Sequence, residues 1–239
     1  MCLEDKKLIK AHIIPEGFYR YIKTDSRPLE IRSNIKGEHK KRSYIGIYDN
    51  TILCGDCEKL FQRYDNYAQS LLLSDPGEED YIINTEGRKR GYKLENVNYH
   101  NLKLFFLSVL WRASVSNRKE FSKIRTGPFE KILKKMIQEN DPGNQDKFSI
   151  TITRFDDYLG KNFLLNPHKT RIDGLNYYIF YLGAGYKLYI KIDKRPLPKM
   201  LAAIALKPNQ PLYIPFNKNF TESKELNILL DIINNNSVG

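Results

Sequence analysis

The residues able to do chemistry lie early in the chain. Cys54 and Cys57 stand in the run Cys54-Gly55-Asp56-Cys57, a spacing that suits one half of a tetrahedral, thiolate-held zinc site. Cys2 offers a third thiol, 52 positions upstream of Cys54. The chain has three cysteines, an odd number, and this argues against a disulfide framework and for metal binding. His12 falls in the β-like run Leu8-Ile9-Lys10-Ala11-His12-Ile13-Ile14-Pro15. Taken alone, a histidine on a strand is ordinarily a packing residue. Glu58 follows Cys57 where a helical pattern begins, and a carboxylate there already complements the helix dipole. His39, His100 and His168 have no partner at a telling spacing.

These residues need elements to hold them. Residues 8–14 read as a short strand closed by Pro15 and Gly17, and 24–42 as a polar, basic loop or hairpin. Residues 44–48 are β-like, with a turn at Asp49-Asn50. Leu60, Phe61, Tyr64, Tyr67, Ala68 and Leu71 recur at helical spacing, which predicts a helix starting near Cys57 and ended by Asp75-Pro76-Gly77. A linker is expected over 76–97. Beyond it, 98–116 is apolar on most sides and predicts a buried helix. A second helix is expected over 129–139, and strands over 148–153, 176–182 and 186–192. The last two form a hairpin around Gly183-Ala184-Gly185. A further strand at 212–216 and an amphipathic helix at 222–233 close the chain. The reading is α+β: a module over 1–75, a linker, and a mixed helical and antiparallel β region over 98–239.

The order of Cys2, His12 in its His-Ile-Ile-Pro core, and Leu53-Cys54-Gly55-Asp56-Cys57-Glu58 resembles the zinc-containing branch of the HNH, or ββα-metal, endonucleases. It looks most like the bacterial subset with Ser/Ala-His-Ile-Ile-Pro and Leu-Cys-x-x-Cys-Glu motifs. Leu107-Ser108-Val109-Leu110-Trp111-Arg112 is similar to the helix that follows in those proteins. The likeness covers residues 1–72 and extends more loosely to about 120. It implies a treble-clef-like module in which Cys2, Cys54 and Cys57 hold a structural zinc. It implies that His12 is the general base and that Glu58 is a ligand to a catalytic Mg²⁺ or Mn²⁺. Asp49 or Asn50 would brace the loop that orients the histidine. The implied activity is phosphodiester hydrolysis leaving a 5′-phosphate, most naturally in DNA and in a bacterial defence setting. Two positions depart from the pattern. Family members pair the first cysteine as Cys-x-x-Cys, and here the missing partner would fall two residues before Met1. Failing that, Asp5, a water or the terminal amine would complete the site. Ala11 stands where many of these enzymes place a metal ligand.

A formal charge of +11 favours polyanionic partners through phosphate contacts that release counterions. The basic residues cluster at 36–42, 88–93, 131–135 and 187–199, with Lys40, Lys41, Arg42 and Arg112 as candidate nucleic-acid contacts; Trp111-Arg112 reads first as core with a satisfied charge, and a phosphate contact by Arg112 is the alternative. DNA is the expected partner ahead of RNA, together with a possible protein partner. Two other classes compete: a catalytically degenerate scaffold that grips nucleic acid, and a subunit whose C-terminal region docks a partner ATPase or sensor. No run approaches the roughly 18 apolar residues of a membrane span. The charged N-terminus lacks the apolar run of a signal peptide, so a cytoplasmic protein is expected. The region past 120 carries no phosphate-binding glycine loop, paired-carboxylate motif or nucleophile elbow, and its role is not legible.

Overall fold

The computed structural model describes residues 1–2, 4–22, 29–31 and 40–236. In chain order the elements are β1 (Ala11–His12), α1 (Glu16–Ile22), β2 (Leu29–Ile31), β3 (Lys41–Ser43), β4 (Tyr48–Asp49), α2 (Gly55–Leu72), β5 (Tyr81–Ile83) and β6 (Lys89–Leu94). There follow α3 (Tyr99–Val115), α4 (Phe129–Gln138), β7 (Ile150–Arg154), α5 (Tyr158–Lys161), β8 (His168–Ile172) and β9 (Leu175–Tyr181). The chain closes with β10 (Tyr186–Lys191), α6 (Lys199–Ala203), β11 (Leu212–Pro215) and α7 (Lys224–Asn236). The class is α+β with antiparallel sheets, as the sequence predicts.

Two helices organise the site. α2 buries Cys57, Phe61, Tyr64, Ala68 and Leu72, at steps of three and four that put one apolar stripe against the core. α3 is buried at every position from Leu102 to Ser114, as expected of a helix apolar all round. Its first turn is capped by the Asn98 side chain, which accepts from Asn101 N. Phe61 of α2 stacks on Trp111 of α3 at 6.1 Å between ring centres, and Phe18 of α1 stacks on Phe105 at 5.8 Å. α3 is therefore the wall against which the N-terminal elements pack.

The largest sheet has the order β7-β10-β9-β8, and a second has β11-β6-β5. The expected β9–β10 hairpin forms, with Leu182 N donating to Tyr186 O at 2.8 Å across the glycine turn. A Cβ on Gly183 would lie 1.9 Å from the Phe18 carbonyl oxygen, so only glycine lets this turn lie against α1. The Tyr186 hydroxyl donates to Leu72 O at 2.7 Å at the end of α2, and accepts from Tyr92 at 2.6 Å.

Several expectations are corrected. Residues 76–97 hold β5 and β6 rather than a linker, and β6 pairs with β11 far along the chain. One contiguous apolar core runs from Ala11 to Ile214, so the stretch separates no bodies. The strand expected over 8–14 shrinks to β1, with Leu8 bridging Cys54. Pro15 opens α1 rather than ending a strand, since its fixed φ leads into a first helical turn. β8 was also not foreseen. Among the described residues no helix is long and apolar enough to cross a membrane.

Candidate metal centre and adjoining histidine

The thiols predicted to meet do meet. The Sγ atoms of Cys2, Cys54 and Cys57 all lie within 4.8 Å of one another. Cys2 Sγ is 3.6 Å from Cys54 Sγ, and Cys2 N donates to Cys57 Sγ at 3.3 Å. Thiolates about 2.3 Å from a tetrahedral ion sit roughly 3.8 Å apart, so the trio fits three corners of such a site. Local structure explains the convergence. Ile9 N donates to Leu53 O at 2.9 Å, and Leu8 bridges Cys54, which brings the N-terminal segment alongside the start of α2. The backbone N–H of Cys57 donates to Cys54 and, against the opposing effect of burial, draws the Cys54 thiol down to about 7. Burial pushes Cys57 up, and the negative charge on Cys54 adds to the rise. Cys54 therefore gives up its proton more readily than Cys57, which a bound cation would help to ionise.

His12 pairs with Tyr48 across β1 and β4, where Ala11 pairs with Asp49. Its Nε2 lies 2.8 Å from the Ile45 carbonyl oxygen. A carbonyl only accepts, so Nε2 carries the proton and Nδ1 keeps its lone pair. Burial lowers the imidazole pKa below its usual value, more than the Ile45 bond raises it. Neutral at pH 7 and half-buried, His12 has the form that accepts a proton. Gly46, the next residue after Ile45, holds a φ of +85°, and a Cβ there would lie 2.3 Å from the Tyr19 ring. Glycine at this position allows the loop to seat against α1 and aim Ile45 O at the histidine.

Asp49, not Asn50, is the bracing residue. It is buried, with Thr51 N and Oγ1 on one carboxylate oxygen at 2.8 and 2.6 Å. Ser116 Oγ and Asn117 N bind the other at 2.7 and 3.1 Å. Burial alone would raise its pKa, but these four donors outweigh it and hold the carboxyl below the usual range. Asp49 thus ties β4 to the end of α3 and has no oxygen left for catalysis. Asn50 is exposed on the adjoining turn.

Glu58 lies in the first turn of α2 and is half-buried, and its Oε2 is buried without a hydrogen-bond partner. Burial raises its pKa, with Arg112 opposing the rise. A carboxylate oxygen left bare in this way is disposed to take a cation.

Of the two roles open to Arg112, the structure shows the satisfied core charge, and its candidacy as a nucleic-acid contact is corrected. Its side chain is fully buried. It grips Asp65 with two parallel bonds of 2.9 and 2.8 Å, and donates to the His12 carbonyl oxygen at 2.9 Å. Nη2 also donates to Ser108 Oγ at 3.1 Å. Asp65 was missed. Its only trace in the sequence is the seven-residue step from Glu58, which puts both carboxylates on one face of α2. Burial raises the Asp65 pKa, yet both guanidinium bonds require its ionised form, so the pair is ionic at neutral pH. The same arginine therefore fixes α2, α3 and the strand bearing His12.

Lys40, Lys41 and Arg42 are exposed on and beside β3, with Lys40 donating to Glu30 at 2.9 Å; 32–39, which include His39, lie outside the described residues. Ala11 is completely buried and offers no ligand. Among the described residues, the thiol trio is the only group of three or more His, Cys, Asp or Glu whose ligand atoms approach this closely. His12, Glu58 and Asp65 do not form a ready-made cage. No family model, curated protein or solved structure matches the chain.

Proposed function

We propose that this protein is a metal-dependent, HNH-like endonuclease that hydrolyses phosphodiesters, with DNA as its substrate and a structural zinc on Cys2, Cys54 and Cys57. The observation that carries the reading is the neutral His12, whose Nε2 is committed to Ile45 O and whose Nδ1 is free to take a proton, on a fold where it and Glu58, with its bare carboxylate oxygen, both feel the charges of Arg112 and Asp65. His12 takes the proton of the attacking water at Nδ1. The resulting positive charge is eased by the nearby Asp65 carboxylate. Arg112 fixes the β1 backbone through the His12 carbonyl. Glu58 would hold a Mg²⁺ or Mn²⁺, which when bound polarises the scissile phosphate and stabilises the leaving oxygen. A single protein carboxylate is compatible with Mg²⁺, which completes its shell with waters and substrate phosphate. Thiolate donors in a tetrahedral trio favour zinc for the other centre. The test is plasmid cleavage with Mg²⁺ or Mn²⁺ by the wild type, His12→Ala and Glu58→Gln. Wild-type nicking lost in both variants supports the reading, and an intact plasmid in all three overturns it.

Ala11 supports a second reading. With no ligand at that position, the same scaffold would grip nucleic acid without cutting it. Salt-sensitive DNA binding, unchanged in His12→Ala and without nicking in any form, selects this alternative.

A further inference from the structure

The loop that orients His12 forms one wall of a half-open cavity of about 560 Å³. At about 30 Å³ per water molecule this is the volume of roughly 19 waters, whereas protein interiors hold few voids larger than one. Ile14, Tyr19, Gly46 and Ile47 make that wall, and each bears on the histidine. Ile14 lies two residues past His12. The Tyr19 ring is centred 6.4 Å from the His12 ring. Gly46 and Ile47 follow Ile45, whose carbonyl oxygen accepts from His12 Nε2 at 2.8 Å. Ser43 Oγ donates to Gly46 O at 2.7 Å and closes the loop on itself. The rest of the lining is largely apolar, with Phe121, Phe163, Leu164 and Leu229 prominent.

The lining offers no free charge. Its charged residues, among those described, are Glu30 and Glu120. Glu30 accepts from Lys40 at 2.9 Å. Glu120 accepts from Arg118 at 3.2 Å through Oε1, and its Oε2 is shut off from the cavity. The Tyr181 hydroxyl is spent on Glu225 at 3.0 Å. A charged ligand would give up its hydration and find no counter-ion, whereas a hydrocarbon body gains by leaving water. We propose that the cavity binds an uncharged, largely hydrocarbon small molecule, and that its occupancy controls His12 by bracing the Gly46–Ile47 loop. A ligand against Tyr19 and Ile47 supplies contacts on the cavity side of the loop. It thereby holds Ile45 O on Nε2 and keeps Nδ1 as the accepting nitrogen. That the reaction so controlled is phosphodiester cleavage rests on the nuclease reading above; the binding and its effect on the histidine do not.

The test titrates the full chain with 1-octanol, octanoate and octylammonium, one skeleton in three charge states. The readouts are heat of binding, the methyl NMR signals of Ile14 and Ile47, and the imidazole signals of His12. Octanol is expected to bind about tenfold or more tighter than either ion and to shift the methyl and imidazole signals together. Leu164→Trp and Leu229→Trp, which fill the cavity, should each abolish binding and leave His12 insensitive to octanol. In a cleavage assay, saturating octanol should raise the rate severalfold. The proposal is overturned if octanol does not bind at millimolar concentration, if the ions bind equally well, if both filled variants bind as the wild type does, or if His12 does not respond at saturation. Should a filled variant fail to fold, the other and the three charge states still decide. A chain that binds octanol and shifts His12 but never cuts overturns the nuclease reading alone. One that cuts at a rate octanol leaves unchanged overturns the control proposed here.

Discussion

At the scale of single residues the site sets stability against function. Glu58 keeps a buried oxygen without a donor, and burial disfavours its charge. Glu58→Gln should therefore raise stability by up to about 1 kcal/mol, a shift of about 2–4 °C in Tm, while abolishing divalent-dependent cleavage. A fall in Tm would mean that the carboxylate has a structural partner. Arg112 and Asp65 behave in the opposite way. Asp65→Ala leaves a buried guanidinium with its carboxylate removed and should cost about 3–5 kcal/mol, measured by urea unfolding. Asp65→Leu combined with Arg112→Met should recover most of that loss but not the nuclease activity, because the His12 carbonyl has then lost its donor. Additive losses in the double variant would show that the two side chains act separately. The pH dependence follows from His12. Its folded pKa is depressed, so its contribution to stability is complete above the unfolded value near 6.5 and is lost as pH falls through the lower folded value. The acid limb of cleavage should accordingly have its midpoint below 6.5, and a midpoint above it would remove His12 as the base. His12, Glu58 and the thiols were legible because short spacings mark them. Asp65 was not, because its partner lies 47 positions away and only the packing of α2 on α3 brings them together.

At the scale of elements, the segment before β1 is tied to α2 by its thiol, an exposed Lys6–Asp56 ion pair, one backbone bond from Ile9 and the Leu8–Cys54 bridge. β1 itself is held more firmly, by β4, by Arg112 on the His12 carbonyl and by the burial of Ala11. α3 is buried along nearly its whole length. Chelation of a thiol-bound ion should thus unfasten the segment before β1 while leaving β1 and α3 protected. Hydrogen exchange before and after treatment with a strong chelator measures this, alongside a metal assay expected to give one zinc per chain. Equal loss of protection in α3 would mean that the ion supports the whole fold, as in small zinc domains that have no core of their own. The long helices were legible at this scale because an apolar stripe or an all-apolar run needs no knowledge of partners. The two-residue strands were not. β1 and β4 are defined by each other and by the Asp49 carboxylate reaching Ser116 and Asn117, and no local pattern encodes that reach.

At the scale of the molecule, the sequence suggested a small metal-stapled module followed by a linker, and the structure has one core instead. The misreading has a physical cause. Residues 81–94 are polar and strongly charged, yet they form a hairpin whose inner strand finds its other neighbour in β11, a pairing beyond the reach of local sequence. The module also borrows its interior. Phe18 and Phe61 stack on Phe105 and Trp111, Asp65 depends on Arg112, and Leu72 O is capped by Tyr186. A fragment of residues 1–75 would expose those aromatic faces and leave Asp65 without its cation. Burying a large aromatic side chain contributes about 1.5–3 kcal/mol, so losing several such contacts is comparable to the whole stability of an ordinary domain. The fragment should stay unfolded or aggregate even with excess zinc, whereas a fragment of residues 1–125, which keeps α3, should regain helical structure and metal affinity. Well-dispersed NMR signals from the shorter fragment with zinc would show that the thiol-held ion alone organises the histidine, and that α3 merely covers a module already formed.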